Sequence, residues 1–406
     1  MIIINRDLYK WNPVYNIVMS LKDEYIGNGG VELDIENMIE QSSDKFKEFF
    51  GCLQVNQHKN LVLIRYGIEG MSRGMWNDKD SPYRECRSLV IDLENEAIVC
   101  CPFRKFFNLN VVEENKLENI EKEIEKCKKY EVSNKLDGSM QSFTYYRGEI
   151  LGFGSMSLDP EKSWRLKDGF YRLTENHKRL IKSVEDTTFI FEYISLNDAH
   201  VVEYTKEEEG LYLIGIRNNC TGYEFSYELI QKISKEYGIK CAETYNLTLS
   251  ELIHLSKTLK ADRKEGWVLN IDGHKVKLKT DDYVGLHTLL DKLISPNVII
   301  KAIYNETWDD LSSKIPERHR RRADEIYNAV DSYITTTISF GNALYNSAPK
   351  DDRKTFMIWV DTKVQKQFRT YLKNKYLGKP YHPLLKGSSN ALGLKKLGDM
   401  GIKLEE

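Results

Sequence analysis

Lys135 lies in the run Lys135-Leu136-Asp137-Gly138-Ser139, and four further clusters accompany it along the chain. They are Glu85-Cys86-Arg87, Phe189-Ile190-Phe191-Glu192-Tyr193, Glu265-Gly266-Trp267-Val268 and Val276-Lys277-Leu278-Lys279. A lysine before x-Asp-Gly turns up in many turns by accident, whereas the ordered series does not. Its residue types suit attack by a lysine amine on the α-phosphate of a nucleotide. The amine must be neutral to attack, and at its ordinary pKa of about 10.4 it is protonated. Burial or nearby cations must therefore favour the neutral form, and Lys277 and Lys279 are the cations in view. Two apart on a strand, they point to one face and can grip phosphate oxygens.

Each residue has a plainer reading when taken singly. Lys277 and Lys279 alone would be a solvated strand face opposite Val276 and Leu278. Glu192 and Glu265 would be carboxylates facing water from apolar strands. Arg87 and Lys105 would be cations snorkelling from apolar runs, although the planar fork of Arg87 suits phosphate. The company of Lys135 shifts each toward a chemical role. Other templates are missing: there is no Gly-x4-Gly-Lys-Ser/Thr loop, and Gly152-Phe153-Gly154 lacks the third glycine of a dinucleotide fingerprint. Neither a Gly-x-Ser-x-Gly elbow nor a His-Glu-x-x-His helix occurs.

The elements that would position these residues fall into two regions. With 406 residues, 41% apolar and 30% charged, the chain can bury a sizeable core and hold two domains. A net charge of −2 excludes a uniformly basic coat but leaves room for a local basic cleft among 59 Lys and Arg. The seven cysteines form no C-x-x-C pair and predict reduced thiols in an intracellular, cytoplasmic protein. No zinc-ligand spacing is present. The apolar opening Met1-Ile2-Ile3-Ile4 stops at Asn5-Arg6-Asp7, far short of the roughly 20 residues a membrane span needs.

Before residue 130 the signals are mixed. Ile35, Met38, Ile39, Phe46, Phe49 and Phe50 have helical spacing, 61–66 reads as a buried strand, and 113–129 as a solvated helix packed through Leu117, Ile120 and Ile124. From 130 to 280 short strands dominate: 141–146, 149–153, 189–194, 201–204, 211–216, 267–271 and 274–278. Arg147-Gly148 and Asp272-Gly273 are fit for hairpin turns, and 226–237 is a helix. Beyond 285, Ile326, Val330, Ile334 and Ile338, then Phe356, Val360, Val364 and Phe368, mark amphipathic helices. The expectation is an α+β domain with largely antiparallel sheets over 1–285, then an all-α domain over 286–406 with a loosely ordered end from Gly378 to Gly398. The cluster Arg318, Arg320, Arg321 and Arg322 reads as a charged helix start or as a place for polynucleotide phosphates.

In this order the motifs resemble the covalent nucleotidyltransferase superfamily, and within it the phage RNA ligase 1 family of tRNA-repair type. Tyr83-Arg84-Glu85-Cys86-Arg87, Arg104 to Asn110, Lys135 to Ser139, Lys279 to Val284 and Asp352 to Phe356 carry the likeness. The resemblance implies an ATP-dependent RNA ligase with a nucleotidyltransferase (adenylation) domain and a helical domain for RNA specificity. Lys135 would take AMP from ATP with Mg2+ or Mn2+, pass it to an RNA 5′-phosphate, and a 3′-hydroxyl would then seal the strand. Arg87 and Lys105 match contacts to the distal phosphates, Glu192 a ribose contact, and Lys277 with Lys279 the α-phosphate pair. Glu265 and Asp309 match metal-associated acids, Tyr66 a nucleotide-site tyrosine and Tyr283 one needed for activity. Asp309-Asp310 could equally cap a helix. The implied partner is RNA, nicked tRNA or another single-stranded RNA, handled by a monomer without a membrane, in the host-cell cytoplasm if phage-encoded.

The chain departs from the family pattern twice: Ser88 stands where glycine usually follows Glu-Cys-Arg, and 152–157 lacks basic residues. A GTP-using capping enzyme shares the lysine chemistry, but such enzymes follow the lysine-pair strand with a β-rich OB-fold rather than helices. A non-catalytic RNA-binding protein derived from a ligase is the third reading.

Overall fold

The computed structural model describes residues 6–67, 74–198, 200–305 and 307–379, the side chains of Arg318 and Gln367 excepted. The apolar opening and nearly all of the Gly-rich end therefore lie outside the described residues. The chain divides into two compact units, Met1–Val284 and Gly285–Glu406.

The first unit is α+β, as expected. Its strands are β1 (Leu53–His58), β2 (Leu61–Tyr66), β3 (Arg87–Asp92), β4 (Ala97–Cys100), β5 (Phe107–Asn108), β6 (Tyr130–Lys135), β7 (Ser139–Tyr146), β8 (Glu149–Phe153), β9 (Thr187–Ile194), β10 (Gly210–Asn218), β11 (Thr244–Tyr245), β12 (Gly266–Ile271) and β13 (His274–Lys279). They form sheets ordered β1-β2-β3-β4, β10-β9-β7-β8 and β11-β6-β12-β13-β5. Every strand pair is antiparallel except β13 with β5. Arg147-Gly148 and Asp272-Gly273 adopt positive φ at both positions, as the tight hairpins β7–β8 and β12–β13 require. Trp267, Leu269, Val276 and Leu278 are buried in the core behind the third sheet. The alternate residues of β13, its lysines, project to the other face.

Several expected elements differ. The run 201–204 is no strand, because the Val201 and Val202 amides bond to the Asp137 carboxylate instead of a ladder. The helix expected over 113–129 is confined to Leu117–Ile124, after a short 3-10 turn at Glu113–Asn115.

The described residues of the second unit hold helices and no strand. Ile326 and Val330 are fully buried in the long helix Glu317–Ser347, whereas Ile334 and Ile338 are half-buried. A repeat of four drifts about 40° per step around a 3.6-residue helix, so the stripe leaves the core. The series Phe356 to Phe368 spans two helices, Arg353–Lys363 and Lys366–Tyr376, broken where Val364 and Gln365 turn extended. All four of its apolar residues still share one core.

Candidate active site

Strand register builds the centre of the site. Gly266 on β12 lies opposite Lys135 on β6 and opposite Lys279 on β13, so both lysines flank a position without a side chain. A Cβ at Gly266 would come within 2.1 Å of the Leu278 carbonyl oxygen, which makes glycine obligatory. Glu265, one residue earlier and buried, reaches both lysines: its Oε2 accepts from Lys135 Nζ at 2.7 Å and its Oε1 is 2.9 Å from Lys279 Nζ.

Gly138 has a similar reason. A Cβ there would lie 2.4 Å from the Tyr193 carbonyl oxygen. This close approach lets the Gly138 amide donate to Glu192 Oε1 at 3.0 Å. Burial, reinforced by the charge of Glu265, pushes the Glu192 carboxyl up to about 7 against the pull of Lys135. Asp137 is buried; its Oδ1 accepts from the Tyr283 hydroxyl at 2.7 Å. The Tyr283 ring in turn lies 4.8 Å from Lys279 Nζ.

A second group of cations adjoins the first. Arg87 and Lys277 both approach the Phe106 ring, at 5.1 and 4.5 Å. Lys105 Nζ stands 3.8 Å from the Tyr66 ring and 4.2 Å from that of Trp76. The Arg87 Nη1 atom is buried with no hydrogen-bond partner among the described residues. Burial, compounded by Arg87, Lys135, Lys105 and Lys279, pushes the Lys277 amine down to about 6. Tyr66 is lowered, because Arg87 and Lys105 overcome its burial.

The expectation that Lys277 and Lys279 keep Lys135 neutral is not met. Burial opposes the charge on Lys135, but Glu265 and Glu192 outweigh it and raise its pKa. The mutual repulsion of the cations falls on Lys277 instead, which has no carboxylate in ion-pair reach among the described residues.

Lys135, Glu192, Glu265, Lys277, Lys279, Tyr283, Arg87, Lys105 and Tyr66 are thus gathered in the first unit. Asp309 belongs to the second, in the first turn of the helix Trp308–Ser312, where Thr307 rather than either aspartate is the cap residue. Among the described residues no three His, Cys, Asp or Glu side chains cluster as a metal cage.

Both departures acquire structural content. Ser88 takes φ +63°, the conformation glycine favours, at a bulge where Ile64 pairs with Leu89 and Arg65 with Arg87. The turn is therefore kept despite the serine. The segment 152–157 packs on the first sheet: Ser155 O accepts from Ser88 Oγ at 2.7 Å and Met156 O from Asn56 Nδ2 at 2.9 Å. Sequence reasoning missed Asp198, His200, Arg165 and Trp76, which stand outside any periodic pattern; only their type marked them.

A lysine seated among cations on antiparallel strands is the arrangement expected from the resemblance to covalent nucleotidyltransferases. Residues 85–283 match the family model described as RNA ligase, that of the phage RNA ligase 1 family. A Thermovibrio ammonificans protein, provisionally named an RNA ligase, is 27% identical over 364 residues, covering 84% of this chain and 89% of its own. A protein of Autographa californica nuclear polyhedrosis virus, provisionally named a bifunctional polynucleotide kinase/RNA ligase, is 25% identical over 312 residues. That match covers 72% of this chain but only 41% of the viral protein. Among solved structures, an archaeal ATP-dependent RNA ligase is similar over 86% of this chain and 100% of its own, with 13% identity and a TM-score of 0.46. An RNA ligase of Naegleria gruberi with pyrophosphate covers 42% of this chain and 55% of its own, with 18% identity and a TM-score of 0.35. No described helix is long and apolar enough to cross a membrane, and the described residues contain no disulfide.

Proposed function

We propose that this chain is an ATP-dependent RNA ligase that works through a lysyl-AMP on Lys135. The observation that carries the reading is Lys135 Nζ held 2.7 Å from Glu265, beside Arg87, Lys105, Lys277 and Lys279 within the family-matched stretch. These cations outnumber the carboxylates that face them, which leaves a site made for a polyanion. Arg87 and Lys105 would take the β- and γ-phosphates, and Lys277 with Lys279 the α-phosphate once Glu265 yields Lys279. Lys135, with its proton given up, attacks the α-phosphorus, and pyrophosphate leaves. AMP then passes to an RNA 5′-phosphate, and a 3′-hydroxyl attacks that activated phosphate and releases AMP. Glu192 would accept from the ribose, and Tyr283 would fix Asp137 and pack on Lys279.

A magnesium or manganese ion carried by the triphosphate would supply charge neutralisation. Glu265 and Glu192 fit it as oxygen donors: Glu265 raises Glu192, a mutual repulsion that a hard cation would relieve. The assignment of Asp309 to the metal rests on the resemblance alone. In this reading residues 1–285 form the adenylation domain, 286–406 select the RNA, and a nicked tRNA is the substrate for repair.

Incubation with labelled ATP and Mg2+, followed by mass spectrometry, tests the reading. An AMP adduct on the Lys135 peptide, absent in Lys135→Ala, is expected, with sealing of a nicked stem-loop. A GMP adduct in its place would mark a capping-type enzyme. Absence of both would leave an RNA-binding module.

A further inference from the structure

Residues 195–198 and 200–204, which no motif singled out, lie against the turn between β6 and β7. Asp137 Oδ2 accepts from the Val201 and Val202 amides at 2.9 Å each, and the Asp137 amide donates to the Tyr204 hydroxyl at 2.8 Å. Two residues on, the Ser139 hydroxyl donates to Asp198 Oδ2 at 2.6 Å, while Arg165 Nε donates to Asp198 Oδ1 at 2.9 Å. His200 stands between the two carboxylates. Its Nε2 is 3.2 Å from Asp198 Oδ2, an ion-pair contact rather than an aligned hydrogen bond, and its Nδ1 is 3.6 Å from Asp137 Oδ1. The His200 side chain is 26% exposed, and both aspartates are 5% exposed.

We propose that His200, as an imidazolium bridging Asp137 and Asp198, is a positioning residue for adenylation of Lys135. The inference rests on the proposed chemistry at Lys135 and assigns His200 no contact with nucleotide. Lys135 ends β6 and Asp137 follows within two residues, so whatever fixes Asp137 and Ser139 fixes the turn that aims the amine and presents the Gly138 amide to Glu192. Only the protonated ring can serve both carboxylates, because a neutral imidazole has one N–H. With the proton gone, one buried carboxylate would face a lone pair.

The groups facing His200 are Asp137 from the turn, Asp198 from its own segment and Glu192 from β9, with Arg165 reaching Asp198 from the helix Trp164–Arg172. Burial opposes the charge on the ring, but Asp198 and Asp137 outweigh it and raise its pKa. The sign follows: the bridge is whole below the ordinary imidazole value and is lost as pH rises through the raised one.

Full-length wild type and His200→Gln are compared by the single-turnover rate of AMP transfer to Lys135, with saturating ATP and Mg2+, across pH 6 to 9. Deprotonation of Lys135 enters both profiles, so the ratio of rates removes most of it and reports on position 200. Wild type is expected to be about tenfold faster at the acid end, converging to within about twofold at the alkaline end, with KM for ATP unchanged. A ratio independent of pH, or no difference at the acid end, overturns the proposal while leaving the ligase reading intact; failure of wild type to form any adduct overturns both. Loss of His200 also raises Glu192 further, which an NMR titration of the imidazole separates. In full-length Asp198→Asn the His200 resonance should titrate lower than in wild type. An unchanged titration refutes the bridge, whether or not His200→Gln folds.

Discussion

Arg217 and Lys277 are both cations set into the first unit, and their surroundings treat them in opposite ways. Arg217 Nη1 lies 2.9 Å from Glu85 Oε2 and 2.7 Å from the Pro102 carbonyl oxygen, so its charge is matched and its donors are satisfied. Lys277 lies among Arg87, Lys135, Lys105 and Lys279, and its pKa falls. The same contrast runs along one strand: Lys275 pairs with Glu224 and is buried, while Lys277, on the same face two residues later, has no such carboxylate among the described residues. Within the Glu85-Cys86-Arg87 motif, Glu85 joins the neutralised group and Arg87 the unneutralised one. The matched charges are costly to separate, whereas at Lys277 the crowding of positive charge is relieved by loss of a proton, which a bound polyanion would restore.

Replacement of each cation by methionine should separate the two roles. Arg217→Met leaves the Glu85 carboxylate with Arg104, 3.5 Å away, as its ion-pair partner among the described residues. It should cost about 3 kcal/mol or more in denaturant unfolding, with adduct formation retained in the protein that stays folded. Equal stability to wild type would break the comparison.

Lys277→Met should act the other way, losing about 100-fold in kcat/KM for adduct formation while unfolding at higher denaturant. The sign of the stability change follows from linkage. An unfolded lysine binds a proton up to about pH 10.4, whereas Lys277 in the folded protein releases its proton near 6. Wild-type stability therefore rises with pH across that window, and the advantage of Lys277→Met shrinks as pH increases. Triphosphate binding must return the proton to Lys277. Calorimetry at pH 7.5 in buffers of different ionisation heat should find wild type taking up close to one proton more than Lys277→Met on binding ATP. Equal uptake by both would place the excess charge elsewhere.

Much of this contrast was readable in the residues, but not all of it. The strands and hairpins followed from short β-favouring runs and from Arg147-Gly148 and Asp272-Gly273, because those signals are local. Lys135, Glu265 and Lys279 were found by order along the chain, and register then explained their meeting across Gly266. The difference between Lys275 and Lys277 was invisible, since it depends on Glu224, 51 residues away in sequence. Val201 to Tyr204 looked like a strand because two valines and a tyrosine favour one, yet the Asp137 carboxylate took the Val201 and Val202 amides. The bond between Asp137 and Tyr283 spans 146 residues and leaves no periodic trace.

The second unit sharpens the comparison from another side, for the charge group just described lies wholly in residues up to 284. The helix Asp281–Leu293 runs across the division between the units and carries Tyr283, so a cut at 290 would remove its last turn. A chain ending after Ser295 should keep adduct formation within about threefold of wild type and lose about tenfold or more in sealing a nicked tRNA-like stem-loop. Sealing at the full-length rate would refute the assignment of RNA selection to the helices.

Ser88 gives the smallest effect and the finest test of how the unneutralised group is aimed. Its φ of +63° costs roughly 1 kcal/mol for a residue with a Cβ, and its hydroxyl recovers a similar amount through the 2.7 Å bond to Ser155 O. Ser88→Gly removes both terms and should leave stability within about 1 kcal/mol of wild type, with adduct formation unchanged. Ser88→Ala keeps the strain without the bond and should be the less stable of the two by roughly 1 kcal/mol. If Ser88→Gly instead slowed adenylation without lowering stability, the hydroxyl rather than the bulge would be what points Arg87, and the glycine-type turn would not be the feature that matters.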